Sequence, residues 1–202
     1  MAAAHFAFER ALIAEGRVPV AGVDEVGRGP LAGPVGVAAV ILDPDDLPAG
    51  LDDSKALTAA RRETLCEIIY AKALAVSVVF ASVTEIDTHN IRGATLLAMA
   101  RAVNALSLRA EYVLVDGRDV PDGLRCPARA IVGGDALSMS IAAASIIAKV
   151  ARDALMTRLD SVHPGYGFAQ HAGYATRIHT EALDRLGPTP LHRRSFRPDR
   201  FS

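Results

Sequence analysis

The chain has 202 residues, of which 50% are hydrophobic and 22% charged, so a disordered polymer is excluded as the starting assumption. With 22 Lys and Arg against 23 Asp and Glu, the formal net charge of −1 speaks against nucleic-acid binding through bulk positive charge. Cys66 and Cys126 form no CxxC pair, which argues against a disulfide scaffold and a structural zinc site and suggests a reducing compartment.

The length suits one domain over 1–202, with or without a small C-terminal extension. Residues 1–17 carry Glu9 and Glu15 and lack the apolar centre of a signal peptide. No apolar run approaches the roughly 18 residues of a membrane span. A cytoplasmic, membrane-free protein is expected. Val18 to Val23 reads as a buried strand, Gly27 to Pro34 as a Gly- and Pro-rich loop, and Val35 to Leu42 as a second buried strand closing an antiparallel hairpin. Residues 42–54 read as a loop. Thr58 caps a helix that runs to about Lys72. Ala75 to Val83 is a third strand, and Thr84 to Asn90 a turn or short helix. Ile91 to Leu106 is a strong helix, with Leu96, Leu97, Met99, Ala100 and Val103 at helical spacing. Tyr112 to Val115 is a strand ending at Asp116, and Arg129 to Val132 another. Ser138 to Leu159 is a long, Ala-rich helix suited to close packing on a sheet. Gly165 to Gly173 reads as an irregular loop and Thr176 to Leu186 as a final helix. The order implies an α/β or α+β sheet with helices on its faces.

Acids stand at the ends of these elements. Asp24 and Glu25 follow an apolar run, and as strand neighbours they point to opposite faces unless the strand ends or bulges there. Asp116 closes another strand. Asp135 opens a helical segment, where a plain N-cap is the competing reading. An acid ending a buried strand needs a partner, which a cation, an Arg or a helix N-terminus can supply. Four oxygen donors without a His or Cys cluster suit Mg²⁺ or Mn²⁺ rather than zinc. Such carboxylates can hold two ions about 4 Å apart and serve phosphodiester hydrolysis. His5, His89, His163, His171, His179 and His192 show no metal-ligand spacing, so none is assigned as a ligand. A surface role is expected for His192. The tail HRRSFRPDRFS, with Arg193, Arg194, Arg197 and Arg200, reads either as solvated or as a phosphate-contacting end.

Several of these motifs together resemble ribonuclease HII, the bacterial type 2 ribonuclease H. They are VAGVDEVGRGPLAGPV from Val20, DSKALT from Asp53, NIRGATLLAMARAV from Asn90, VLVDG from Val113, GGDALSMSIAAASIIAKVARD from Gly133, HPGYGFAQHAGYAT from His163 and GPTPLHRRSF from Gly187. The resemblance implies a ribonuclease H-like mixed central sheet flanked by helices, with a C-terminal helical part over about 160–202. It implies that Asp24, Glu25, Asp116 and Asp135 hold the catalytic Mn²⁺ or Mg²⁺, two ions with substrate bound. It implies hydrolysis of the RNA strand of RNA/DNA hybrids. It also implies nicking 5′ of a single ribonucleotide in duplex DNA, leaving 3′-hydroxyl and 5′-phosphate ends, for removal of misincorporated ribonucleotides.

The resemblance further implies that the loop Gly27-Arg28-Gly29 meets the 2′-hydroxyl through its main chain; its glycines permit such close backbone approach, and a tight hairpin loop is the other reading. The resemblance also implies that Tyr174 packs beneath the sugar next to the junction, where the residues alone suggest simple packing, while Tyr166 is read as structural. Lys55, Asn90, Ser145 and Lys149 are candidate phosphate contacts. Lys149 has a rival reading as a salt bridge to Asp153, four residues on. Three other readings compete. Gly27, Gly29 and Gly33 spell a loosened dinucleotide fingerprint, but β-rich sequence follows where a helix is needed. A non-catalytic binding module would have lost its acids. A type 3 enzyme, preferring long hybrids, would carry a further N-terminal domain that the first twenty residues cannot supply. A monomer is expected, and a replication-clamp contact is not legible in either terminus.

Overall fold

The computed structural model describes residues 4–51, 54 and 57–196. A mixed five-stranded sheet lies at the centre, in the order β3-β2-β1-β4-β5. Strands β1 (Val20–Val26) and β2 (Val35–Ile41) pair antiparallel, and β3 (Ala75–Ala81) extends the sheet antiparallel to β2. On the other side of β1, β4 (Tyr112–Asp116) runs parallel to it and β5 (Ala128–Ile131) parallel to β4. β2 is buried along its whole length and β1 over most of its own, which is why both read as near-continuous apolar runs. β1 starts later than the sequence suggests and carries Asp24 and Glu25 inside it.

The helices are α1 (Ala7–Ala14), α2 (Ala59–Lys72), α3 (Val83–Asn104), α4 (Met139–Val162), α5 (Phe168–His171) and α6 (Arg177–Leu186). Side-chain caps start α2, α4 and α6 where the sequence indicates, whereas β3 ends at Ala81 and α3 starts from a cap at Ser82, inside the stretch expected as strand. Thr58 accepts from the Arg61 N–H, Ser138 from Ile141 and Thr176 from His179, while Ser82 and Glu85 form a capping box. α3 is two helices joined at Asn90, whose φ of 56° breaks the run. The short helix and the long helix expected on either side of Asn90 are both present. α5 lies within the stretch expected to be an irregular loop.

Opposite faces of the sheet carry different helices. α3 covers one face through Ala94, Ala98, Met99 and Ala102, packed on Val23, Val37 and Ala39. α2 and α4 cover the other through Leu65, Ile69, Ala143 and Ile147, packed on Ala38 and Val40. α4 comes closest to the sheet at Gly22, where an added Cβ would stand 2.2 Å from the Ser140 carbonyl carbon. The alanines of α4 follow from that approach. α1 docks through Glu9, fully buried, whose Oε1 accepts from the Ser138 hydroxyl (2.6 Å) and the Ser140 N–H (2.9 Å) at the positive end of α4. The C-terminal helices enclose a small core of Ala32, Met156, Tyr166, Phe168, Ala182 and Leu183. Among the described residues, no helix is long and apolar enough to cross a membrane.

Gly22→Ala forces α4 off the sheet. Calorimetry should show a loss of about 1–3 kcal/mol, the usual cost of overpacking a tight core, and an unchanged melting temperature would contradict the contact.

Candidate active site

The sheet ends in acids where its two central parallel strands stop. Val23 of β1 lies beside Val115 of β4, and the next residues along are Asp24 and Asp116. This is the carboxyl end of a parallel pair, the usual place for a site in such sheets. Asp24 and Glu25 are consecutive in β1 and leave opposite faces of the strand. Even so, Asp24, Glu25 and Asp116 bring ligand oxygens within 4.8 Å of one another around the strand ends. Asp135 is buried in the single turn Gly134–Ala136 and stands outside that tight trio, and its N–H donates to Asp116 Oδ1 (3.3 Å). It is not the cap of α4, a place taken by Ser138.

Burial holds the Asp24 carboxyl well above the usual carboxylate range, and the charges of Glu25 and Asp116 push it further. The Ser145 hydroxyl and the Glu25 N–H (2.6 Å) work the other way. Burial also raises Glu25, against the pull of Arg28, whose Nη1 is 3.5 Å from Glu25 Oε1. Desolvated carboxylates this close together need positive charge between them. An all-oxygen donor set of this kind fits a hard divalent cation.

The loop after β1 is held from beneath by two arginines. Arg193, fully buried, donates from Nη2 to the carbonyls of Gly27 (2.6 Å) and Gly33 (2.7 Å), from Nη1 to Arg28 (2.8 Å) and from Nε to Gly33 (2.9 Å). Arg152, also fully buried, donates to the carbonyls of Pro34 (2.9 Å), Ala172 (3.0 Å) and Ala32 (3.4 Å). Burial and the neighbouring Arg152 push the Arg193 guanidinium down to about 9, which leaves it charged at neutral pH. This corrects both readings of the tail at Arg193, which neither floats in solvent nor faces a phosphate. His192 is also buried, against the surface role expected of it. Neither arginine was legible as an anchor, because the partners are main-chain carbonyls far away in sequence. Arg194 and Ser195 are pinned through their N–H groups to Asp87 of α3.

Gly27 adopts a φ of +87°, and a Cβ there would lie 2.0 Å from Arg152 Nε. Tyr174 is half-exposed, and its ring lies 3.6 Å from where a Gly29 Cβ would be. The structure thus brings the glycine loop, Tyr174 and the acids into one region. Lys149 is paired with Asp153 (2.8 Å), the rival contact named for it, and borders a cavity of about 500 Å³ shared with Arg62, Tyr174 and Thr176. Ser145 is buried between Asp24 and Ser54, whose hydroxyl is 2.9 Å away, so it serves the carboxylate site rather than an open surface. Asn90 Oδ1 accepts from the Arg92 and Gly93 N–H groups and so starts the second half of α3. Lys55, Arg197 and Arg200 lie outside the described residues. Arg92 and Arg118 were not singled out from the sequence. They line a cavity of about 100 Å³ with Arg28, Glu25, Asp116 and Asp119, and Arg92 holds Asp119 in a two-point ion pair (2.9 and 2.7 Å).

Comparison with known proteins adds the family context. The model of the family described as Ribonuclease HII matches residues 21–198. Ribonuclease HII of Sinorhizobium medicae is 61% identical over 195 residues, covering 96% of this chain and 90% of that protein. Among solved structures, ribonuclease H2 of Pyrococcus horikoshii superimposes with a TM-score of 0.77 at 29% identity, covering 89% of this chain and 94% of the other. RNase HII of Archaeoglobus fulgidus, solved as a complex with PCNA, gives 0.74 at 31% identity over 87% and 94%.

Two outcomes follow from the electrostatics. Asp24 and Glu25 are raised in the folded state, so between pH about 4 and their raised values the folded protein holds protons that the unfolded chain lacks. Metal-free stability should therefore fall as pH rises through that window. Mg²⁺ or Mn²⁺ should restore it, while Asp24→Asn should melt higher than the metal-free parent at pH 7 and ignore added metal. Thermal melts with and without EDTA check both statements. Arg193→Lys replaces a planar fork with a point charge. It should lower stability by roughly 2–4 kcal/mol, the scale of losing charged hydrogen bonds in a buried site, as read by urea titration.

Proposed function

The chain belongs to the ribonuclease HII family, a divalent-metal-dependent nuclease of RNA/DNA hybrids, and we propose that it also nicks 5′ of single ribonucleotides in duplex DNA. The observation that carries this reading is the junction of three parts: the carboxylates at the ends of β1 and β4, the Gly27-Arg28-Gly29 loop, and Tyr174 against Gly29.

Asp24, Glu25, Asp116 and Asp135 are the residues to hold the ions, two with substrate in place and either Mn²⁺ or Mg²⁺. Bound there, divalent ions supply a water of lowered pKa and neutralise charge on the phosphoryl and leaving oxygens. The protein's own groups do the selecting. A trans peptide sets its N–H opposite its C=O. With the Gly27 and Arg28 carbonyls turned inward to Arg193, the N–H groups of Arg28 and Gly29 turn the other way, towards the side where a sugar would lie. Those donors suit a 2′-hydroxyl oxygen, the one feature that separates a ribose from a deoxyribose. The exposed face of Tyr174 closes the sugar's other side without reading sequence. Arg28, Arg92 and Arg118 border the acids and offer charge to neighbouring phosphates, and Lys149 does so across the larger cavity. Lys55 and Asn90 remain phosphate candidates of this reading. Such a protein acts as a monomer on chromosomal DNA in the cytoplasm, where it starts the removal of misincorporated ribonucleotides.

A labelled duplex with one ribonucleotide, incubated with Mg²⁺, Mn²⁺ or EDTA beside an all-DNA duplex and a long hybrid, tests the proposal. A metal-dependent cut 5′ of the ribonucleotide, with all-DNA intact, is expected. Cleavage of the long hybrid alone would transfer the specificity to that of a type 3 enzyme. Asp116→Asn should lower kcat on the order of a hundredfold or more, as for loss of a charge-stabilising group, with hybrid binding kept. Unchanged cleavage would remove Asp116 from the site.

A further inference from the structure

Beneath Tyr174 lies a buried group of histidines that takes no part in the carboxylate cluster. His171, His179 and His192 are all buried, with the His171 and His179 rings stacked at 4.6 Å. Their hydrogen bonds fix their protons. The Tyr174 carbonyl, 2.9 Å from His179 Nδ1, can only accept, so that nitrogen carries hydrogen. His192 Nδ1 receives the Thr189 N–H (2.9 Å) and is therefore bare. The two Nε2 atoms are 3.1 Å apart, a hydrogen bond only if His192 donates and His179 accepts. A second proton on either ring would set N–H against N–H. Burial lowers both imidazoles, His192 to about 4, which keeps the pair neutral. The ionisable groups around it are His171 and His163, with Tyr166 packed on His192, and Asp87 and Arg194 on the shared cavity.

We propose that His179 and His192 are positioning residues for Tyr174: a directed relay runs from the Thr189 N–H through His192 and His179 to the Tyr174 carbonyl, and it sets the height of the tyrosine ring over Gly29. The next residue along the chain, Arg193, holds the Gly27 and Arg28 carbonyls. Consecutive residues of one segment thus place both walls of the sugar site, His192 the tyrosine wall and Arg193 the glycine wall. The segment acts as a gauge of the gap between them. The proposal rests on the reading of Tyr174 as a substrate contact.

His192→Asn keeps an acceptor near Nδ1 for Thr189 and loses the donor to His179. His192→Gln brings an amide nitrogen to the Nε2 position and restores it. The readout is the ratio of kcat/KM on the single-ribonucleotide duplex to kcat/KM on a long hybrid, which general loss of folded enzyme does not alter. His192→Asn should lower this ratio roughly five- to tenfold, the scale of one hydrogen bond. His192→Gln should recover most of it, and His192→Asn should add little to Tyr174→Ala. If Tyr174→Ala leaves the ratio unchanged, the reading of Tyr174 itself fails. If Tyr174→Ala changes the ratio but folded His192→Asn does not, or Gln is no better than Asn, the relay alone is overturned. Should His192→Asn not fold, imidazole ¹⁵N NMR of the unmodified protein at neutral pH decides. The expected pattern is hydrogen on His179 Nδ1 and His192 Nε2, and the reverse tautomers or a charged ring would refute it.

Discussion

Two guanidinium ions buried without solvent, Arg152 and Arg193, govern the geometry of the site. A buried charge is costly unless it is fully hydrogen-bonded. Here main-chain carbonyls supply the bonds, from Gly27, Arg28, Ala32, Gly33, Pro34 and Ala172. The chain must turn those oxygens inward, and this dictates the path of residues 27–34. Gly27 is then required from below. Its backbone has a positive φ, and the space its side chain would fill belongs to Arg152. The glycine of the proposed sugar contact is thus first a consequence of the arginine beneath it. The outward N–H groups are the other side of the same peptides.

α4 ties this loop to the acids. Ser145, Arg152 and Met156 recur at spacings that share a helix face. Ser145 meets Asp24, Arg152 meets the loop, and Met156 packs in the C-terminal core and would collide with any Cβ on Gly33. The helix is in turn seated on the sheet at Gly22. Opposed electrostatic burdens therefore meet along one helix, a carboxylate pushed up against Ser145 and guanidiniums pushed down at and beside Arg152. Each is tolerated because a rigid element holds its partners in place. Function resides in the places where the fold is least at ease with its charges.

Much of this was legible from the residues. Apolar runs marked both central strands, with Asp116 ending β4 while β1 runs on through Asp24 and Glu25, the β-rich stretch after the glycines ruled out a dinucleotide fold, and Thr58 and Ser138 marked helix starts. Other features were hidden for a physical reason. Strand periodicity sends Asp24 and Glu25 to opposite faces, yet both lie near the strand's end, where side chains can curl back to a common point. Arg193 and His192 sit in a basic run, and basic runs are normally solvated. Only the tertiary arrangement shows that the oxygens Arg193 needs come from residues 27–33, that the His192 ring bonds Thr189 and His179, and that these two residues are interior while Arg194 is exposed. Glu9 carried no local sign of its docking on α4, and Gly22 none of the helix pressed against it. Local pattern reports periodicity and caps, while long-range contacts that satisfy a buried polar group leave almost no local trace.

The anchoring of Gly27 by Arg193 spans 166 positions. During synthesis the acids at 24 and 25 emerge early, and the loop beside them meets Arg152 first and gains its last anchor only when residue 193 has left the ribosome. The acids thus precede, by most of the chain, the contact that completes the loop beside them. The nascent protein carries its acids long before the loop next to them can settle, and a late residue closes that interval.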